Sequence, residues 1–201
     1  MSNTVKISTV RKPRADAERN RLRLLETAKL AFAEKGSGAS LDEIARAAGV
    51  GPGTLYRHFP TRDTLVLAVY ENEIGHLLAA AESLATTKQP ITALREWLLL
   101  FVDYLGTKHG MHEVLSSMGY QTSDAYSSSS TQLKQAGAKL VDRFVESRGI
   151  HLSLEPLDLL RALAGVASAN AGPKGQQAAR SMVDVLIAGI KQGKKKVSGT
   201  R

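Results

Sequence analysis

The chain has 201 residues, of which 43% are hydrophobic and 5% aromatic, with 27 lysines and arginines against 19 acidic residues. This length and apolar content fit one large domain or two small ones, and they exclude collagen, coiled-coil rods and disordered tails. The absence of cysteine excludes a disulfide scaffold and a cysteine-ligated zinc finger. No apolar run approaches the roughly 18 residues of a membrane span, and residues 1–14 are polar and basic. We therefore expect a cytoplasmic protein with no membrane partner.

Basic residues concentrate at both ends of the chain. Residues 1–60 hold 11 lysines and arginines against 6 acidic residues, and residues 186–201 hold 5 against none. Such a segment marks either a polyanion-binding surface or a solvated face. We predict a flexible basic arm at residues 1–15 and a disordered basic tail at residues 193–201. For the rest of the N-terminal third we favour polyanion binding because of the motif described below.

The chain between arm and tail shows the apolar spacing of α-helices. All six prolines fall between periodic segments, and no strand-like alternation competes with the helical pattern. The pattern predicts an all-α protein with about nine helices and no sheet. We place these helices at residues 16–35, 41–48, 52–58, 62–84, 91–108, 111–119, 124–148, 154–170 and 176–192. The four serines at 127–130 fit either a loop or the first turns of a helix.

Two short helices in the basic third form the densest pattern. Ser40 followed by Glu43 is a capping box, and Gly49 suits the left-handed residue that ends a helix. A second helix begins almost at once, with Pro52 at its first position. Two short helices across a tight glycine turn predict a helix-turn-helix, which we place in a DNA-binding domain of residues 16–61.

The outward face of the second helix predicts contacts with base edges. When Leu55 and Phe59 face the core, the helical step of 100° fixes which residues face outward. Arg57 and Gly53 then point farthest from the core, and Thr54 follows. Outward side chains of a helix in the major groove reach the bases, so Arg57 and Thr54 are candidate base contacts.

The flanks of the same helix face the phosphate walls of the groove. Tyr56 and His58 lie on these flanks, and Arg62 follows them in the chain, so we expect all three to contact phosphates. The alternative is that Tyr56 and His58 cap a small core and that Arg57 is an ordinary exposed arginine.

Residues 40–59 read SLDEIARAAGVGPGTLYRHF. This run resembles the DNA-binding signature of the TetR/AcrR family of bacterial repressors, and the resemblance extends back through 24–28 and 32–36 and forward through 62–65. It implies a homodimer on a near-palindromic double-stranded DNA operator, with Thr54, Tyr56 and His58 as DNA contacts. The position of Arg57 varies in the family, so that assignment rests on helical geometry alone. The DNA-binding candidates are Ser40, Gly53, Thr54, Tyr56, Arg57, His58 and Arg62.

The middle of the chain is more loosely similar to the SbtR-like regulatory domains of that family, through residues 93–98 and 101–104. The resemblance implies an all-helical regulatory and dimerisation domain over residues 62–192, which binds a small-molecule effector between its helices. We expect a homodimer through the helices at about 154–170 and 176–192. Burial of those helices within one protomer is the alternative.

An aromatic stripe marks the predicted regulatory domain. Trp97, Phe101 and Tyr104 are spaced four and three residues apart, which fits either core packing or the wall of a ligand pocket. Methionines adapt to irregular ligands. The candidates for binding an apolar or partly aromatic effector are Trp97, Phe101, Tyr104, Met118 and Phe144.

The sequence offers no catalytic motif, so we expect no enzyme. His109 and His112 have a metal-ligand spacing if they are helical, but Gly110 between them favours a loop, and we expect neither metal nor other cofactor. The expected function is a DNA-binding transcriptional regulator, a repressor that a small molecule releases from a palindromic operator. The alternatives are a ligand-independent helix-turn-helix protein and a helical enzyme or carrier with a vestigial DNA-binding domain.

Overall fold

The structure is a computed structural model that describes residues 12–152, 154–169, 172–192 and 194–195. Within them lie eight α-helices, which confirms the predicted all-α class. They are α1 (Lys12–Lys35), α2 (Leu41–Ala47), α3 (Pro52–His58), α4 (Arg62–Thr87), α5 (Pro90–Ser117), α6 (Asp124–Arg148), α7 (Pro156–Ala169) and α8 (Pro173–Lys191). Short 3-10 turns lie at Gly36–Gly38 and Tyr120–Thr122.

The helix count differs from the prediction at one place. Residues 91–108 and 111–119, predicted as two helices, belong to the single helix α5, which runs through Gly110. A glycine inside a helix costs about 1 kcal/mol, and tertiary packing outweighs that cost here. The serines at 127–130 are helical and lie within α6.

Parts of the predicted arm and tail have regular structure. Residues 12–15 of the arm are helical and begin α1. In the tail, Lys194–Lys195 (β2) pairs antiparallel with Ile150–His151 (β1), which is a two-residue exception to the prediction of no sheet. The remaining predicted arm and tail lie outside the described residues. No helix in the described ranges is both long enough and apolar enough to cross a membrane.

The long helix α5 runs through the middle of the structure. It packs against α1, α4, α6, α7 and α8, whereas α2 and α3 pack on each other and on α1. Leu55, Leu24 and Phe32 are buried in the N-terminal part, and their core is continuous with that of α4 to α8. Helix α1 is therefore the element through which α2 and α3 are joined to the rest.

Trp97 lies at the centre of the core formed by α4 to α7. Its side chain is fully buried, and its indole N–H donates to the carbonyl oxygen of Leu77 at 2.9 Å, which satisfies a polar group that burial would otherwise penalise. Its ring stacks on Phe101, with centroids 5.7 Å apart. A Cβ at Gly137 of α6 would come within 3.0 Å of the indole. Trp97 is therefore a core residue.

Two contacts fasten α1 to the rest of the protein. Gly110 of α5 lies so close to the end of α1 that a Cβ there would be 1.9 Å from the carbonyl oxygen of Phe32. About one turn earlier on α1, the Nζ of Lys29 lies 2.9 Å from Oε2 of Glu73, a carboxylate of α4 that is only 5% exposed. A buried ion pair resists separation because either partner alone would be an uncompensated charge.

We predict that Gly110→Ala destabilises the fold by about 1–3 kcal/mol, because the added methyl group forces the backbones of α5 and α1 apart. The matched control is Gly75→Ala on α4, where a Cβ meets nothing within 4 Å. It should stabilise the protein by about 0.5–1 kcal/mol through helix propensity. Urea unfolding followed by circular dichroism measures both. Equal effects of the two substitutions would contradict this account of the α5–α1 contact.

Candidate nucleic-acid interface and ligand cavity

Helix α2 begins at a serine cap. The Ser40 hydroxyl accepts a hydrogen bond from the backbone N–H of Glu43 at 3.4 Å. The Glu43 carboxylate accepts instead from Nζ of Lys35 at 2.9 Å, and this hydrogen bond lowers the pKa of Glu43 and raises that of Lys35. The predicted capping box is thus half formed, and the glutamate links α2 to the end of α1.

The turn between α2 and α3 is a Schellman motif. Gly49 adopts a left-handed conformation with φ of 67°. The backbone N–H of Val50 donates to the carbonyl of Ala45 at 3.0 Å, and the N–H of Gly49 donates to that of Arg46 at 3.1 Å. Both bonds satisfy carbonyls that the end of α2 leaves free. This turn fixes the angle at which α3 leaves α2.

Two apolar residues of helix α3 anchor it in the core. Gly51 caps it and Pro52 occupies its first position. Leu55 is fully buried and Phe59 is 2% exposed, so they face the core as the helical geometry predicted. The guanidinium carbon of Arg21 on α1 lies 5.5 Å from the centroid of the Phe59 ring, a cation–π contact.

The opposite side of α3 is open to solvent, and we call its five residues the α3 outer face. Gly53, Tyr56 and Arg57 are exposed, while Thr54 and His58 are half-buried. A Cβ at Gly53 would meet nothing within 4 Å. The structure therefore brings five of the seven predicted DNA-binding residues onto one surface.

The other two predicted DNA-binding residues make contacts within the protein. The Ser40 hydroxyl caps α2, as described above. The half-buried Arg62, at the start of α4, donates from Nη2 to the carbonyl of Ala39, and its Nη1 is buried without a partner in the described ranges. As placed, this guanidinium joins α4 to the residue before the cap and does not extend the α3 outer face.

A cavity of about 170 Å³ lies among α4, α5, α6 and α7, and we call it the four-helix cavity. Its apolar lining comprises Phe101, Leu105, Leu133, Leu157, Leu160 and Ala164. Tyr70 and Tyr104 form a polar wall, with their hydroxyl oxygens 3.3 Å apart. Burial raises the pKa of Tyr70 to about 12 and also raises that of Tyr104, so both hydroxyls stay protonated at neutral pH.

The charges that line the four-helix cavity have one sign. Lys108, Lys134 and Arg161 line it, together with Ser130, and no acidic side chain of the described residues does. Nζ of Lys108 lies 2.8 Å from the hydroxyl oxygen of Tyr126 and 5.0 Å from the centroid of its ring. The cavity therefore combines apolar walls with three basic side chains.

The predicted ligand-binding residues are divided among different environments. Phe101 and Tyr104 line the four-helix cavity, and Trp97 lies behind Phe101 in the core. Met118 is half-buried just after α5, and Phe144 lines a separate cleft between α6 and the start of α5. The stripe is thus partly core and partly cavity wall.

A larger groove of about 640 Å³ lies between the end of α1 and helices α5, α7 and α8. It shares Leu105, Lys108 and Ala164 with the four-helix cavity. His109 and His112 also line it, and both stand in helix α5 where we predicted a loop. In the part of the chain that the structure describes, no three metal-ligating side chains come together.

Comparisons with family models and with solved structures indicate the same protein family. Residues 24–69 match the family described as bacterial regulatory proteins, tetR family, and residues 89–192 match the transcriptional regulator SbtR-like C-terminal domain. A solved TetR transcriptional regulator from Streptomyces coelicolor is 35% identical and superposes with a TM-score of 0.74, over 85% of this chain and 97% of that one.

The chain belongs to the TetR family.

Curated relatives align over shorter stretches. A helix-turn-helix transcriptional regulator of Staphylococcus aureus is 29% identical over 59% of this chain and 62% of its own length. The regulator UidR of Escherichia coli is 32% identical over 45% of this chain and 41% of its own. This chain therefore spans less than two thirds of the length of either relative. The TetR family, to which this chain belongs, is a family of DNA-binding bacterial transcriptional regulators.

The sequence of this TetR-family protein did not lead us to predict the three cations that line the four-helix cavity. Lys108 follows Tyr104 by four residues and so shares the face of the aromatic stripe, a signal that the sequence contained. Lys134 and Arg161 join it only through the packing of α6 and α7, which helical periodicity does not reveal.

We predict that Gly49→Ala destabilises this TetR-family protein by about 1–2 kcal/mol, because a left-handed conformation is strained for any residue with a Cβ. Gly53→Ala, four residues later on the α3 outer face, is the matched control. Its φ is not left-handed and its surroundings are open, so its melting temperature should equal or exceed the wild-type value. Thermal unfolding followed by circular dichroism measures both. A Gly49→Ala protein as stable as Gly53→Ala would contradict the strained turn.

Proposed function

We propose that this TetR-family regulator acts in the cytoplasm as a homodimeric repressor of a palindromic operator, and that a small molecule in the four-helix cavity releases it. The α3 outer face is the observation that carries the proposal. It presents Arg57 and Tyr56 to solvent on a helix anchored by a buried Leu55. A short exposed helix of this kind fits the major groove, where arginine binds guanine edges in a bidentate manner.

Different parts of the α3 outer face have different proposed roles. Arg57 and Thr54 read bases, whereas Tyr56 and His58 contact phosphates and hold the helix in register. Gly53 leaves open space that lets the backbone approach the DNA. Ser40 positions α2, and Arg62 positions the start of α4. The residues around Ser40 can also bind a phosphate of the DNA.

An exposed apolar surface on α7 and α8 supports a homodimer. On α8, Ala178, Val185 and Gly189 are exposed and Met182 is half-buried, with spacings of four, three and four residues. On α7, the exposed residues Ala162, Gly165 and Ala169 repeat three and four residues apart. Small side chains at this spacing allow helices of two copies to pack closely across a two-fold axis.

Two partly exposed ion pairs join α8 to α5. Nε of Arg95 on α5 lies 2.7 Å from Oδ1 of Asp184, and Arg180 binds Asp103 of α5. Arg180 and Asp184 are four residues apart and therefore share the face of α8 that contacts α5. Val185 is 63% exposed.

Contacts between the four-helix cavity and α1 support the proposed release. Lys108 lines the cavity, and two residues further along α5 Gly110 packs directly on the backbone of Phe32. A ligand that moves α5 must move α1 as well, because no space separates the two backbones there. Since α2 and α3 are packed on α1, this movement changes the separation of the two α3 helices in a dimer.

We predict that Arg57→Ala loses base discrimination at one position in each half-site, at a cost of about 1–3 kcal/mol for each bidentate contact. His58→Ala and Tyr56→Phe should weaken binding equally on all sequences. The operator is first selected from random DNA with the wild-type protein. Affinities are then measured on matched and single-mismatch duplexes at one salt concentration.

Arg148→Ala is the charge control for this experiment, because it removes an exposed arginine from the far end of α6. It should leave both affinity and discrimination unchanged. Full discrimination by Arg57→Ala would contradict the proposed phase of α3 on DNA. A promoter that carries the selected operator should be transcribed less when the protein is added, and increased transcription would contradict repression.

We predict that Val185→Glu converts a dimer at micromolar concentration into a folded monomer, since it buries a charge at the centre of the proposed interface. Leu30→Glu on α1 is the matched control, because Leu30 is 61% exposed and receives the same charge. It should remain a dimer. Sedimentation equilibrium gives both masses, and a monomeric wild-type protein would refute the homodimer.

A further inference from the structure

The cations of the four-helix cavity suggest which chemical class of ligand it takes, an inference that rests on the proposed function of this cavity as the effector site. The cavity has a volume of about 170 Å³ and is partly open to solvent. An enclosed apolar cavity of about 150 Å³ holds one benzene molecule. The four-helix cavity therefore has room for a single ring, and its open side leaves space for a substituent.

The apolar walls favour a flat hydrocarbon body. Phe101, Leu133 and Leu160 come from three different helices and surround the cavity with side chains that offer no hydrogen bond. A ring between them buries its faces against carbon, which is the main source of affinity in small-molecule sites. Because these three side chains offer no hydrogen bond, the polar groups of a ligand must lie against other residues of the cavity.

Two lysines define where a charged group of the ligand would lie. Lys108, which is half-buried, and Lys134, which is exposed, line the cavity, and neither forms an ion pair with a carboxylate of the described residues. Arg161, the third cation, has Asp158 at 2.9 Å. A carboxylate placed between the two lysines would receive charge-assisted hydrogen bonds, which are stronger than neutral ones. An ammonium at the same point would be repelled.

The tyrosine wall supplies further donors on the same side. The hydroxyls of Tyr70 and Tyr104 are 3.3 Å apart, and both side chains are almost fully buried. Only one of the two hydroxyl hydrogens is used in the bond between them, so the other is available to a ligand oxygen. Lys108 also contacts the ring of Tyr104, with Nζ 6.0 Å from its centroid. Lys108 and the two tyrosine hydroxyls therefore lie on the same side of the cavity.

We propose that the four-helix cavity binds single-ring aromatic carboxylates, with the ring between Phe101, Leu133 and Leu160 and the carboxylate at Lys108 and Lys134.

The test uses the full-length protein and three probes of nearly equal size. Benzoate carries a negative charge, benzyl alcohol is neutral and benzylamine is positive. Calorimetry and the emission of Trp97 report binding without DNA. Trp97 is the only tryptophan of the chain, and its ring stacks on Phe101, a residue of the cavity wall. Benzoate should bind at least about tenfold more tightly than benzyl alcohol, with benzylamine weakest, because a hydrogen bond to a charged group adds that factor or more.

Substitutions separate the role of the lysines from general electrostatics. Lys108→Met and Lys134→Met keep the length of the side chain and remove its charge, and each should weaken benzoate about tenfold while leaving benzyl alcohol unchanged. Lys139→Met, on the exposed side of α6 and outside the cavity lining, is the control and should bind benzoate as the wild type does. Thermal melting confirms that each variant is folded.

The outcomes distinguish the ligand class from the proposed function. Equal binding of all three probes, tighter binding of benzylamine, absent binding of benzoate, or an equal loss in Lys139→Met would overturn the proposed ligand class. Benzoate that binds with the expected variant pattern but leaves operator affinity unchanged supports the ligand class and contradicts only release from DNA. Benzoate that also weakens the operator supports both, and the operator must then weaken benzoate by the same factor.

Discussion

The absence of a side chain at Gly110 is the constraint on which the arrangement of this protein depends. It brings α5 against the last turn of α1 at a distance that no larger residue permits. Helix α5 also contacts α4, α6, α7 and α8, while α1 is the support for α2 and α3. Closely packed interiors transmit displacement because they have little free volume. One contact between two backbones therefore couples the DNA-binding helices to the helices that surround the four-helix cavity.

The buried ion pair between Lys29 and Glu73 acts beside this contact in a different way. Steric packing at Gly110 sets how close α1 and α5 are, whereas the ion pair sets which part of α1 faces α4. Breaking it would leave a carboxylate with 5% exposure uncompensated. Helix α1 is thus fixed at two positions about one turn apart on the same face, and rotation about either position alone would disrupt the other. A rigid attachment of this kind moves α2 and α3 as one body.

The sequence predicted the features that depend on neighbouring residues. The boundaries of α2 and α3, the left-handed Gly49 and the inward pair Leu55 and Phe59 follow from caps, turns and helical periodicity. Features set by distant residues were missed. Gly110 was interpreted as a break because only contact with α1 shows why a glycine belongs within α5. The hydrogen bond from Arg62 to Ala39 spans 23 residues and was missed for the same reason, while the phosphate contact of Arg62 stays a prediction.

The four-helix cavity shows why an aromatic stripe is a poor guide to a binding site. Trp97 has the largest ring of the stripe, yet it forms a hydrogen bond within the core and has no contact with solvent. Its neighbour Phe101 is stacked on it and borders the cavity. The residues that distinguish this cavity from a closed core are the half-buried Lys108 and the exposed Lys134, because a closed core would not place unneutralised ammonium groups beside leucines. In the free protein, water solvates these lysines. The proposed anionic ligand would replace part of that water and would compensate the charges whose solvation it removes.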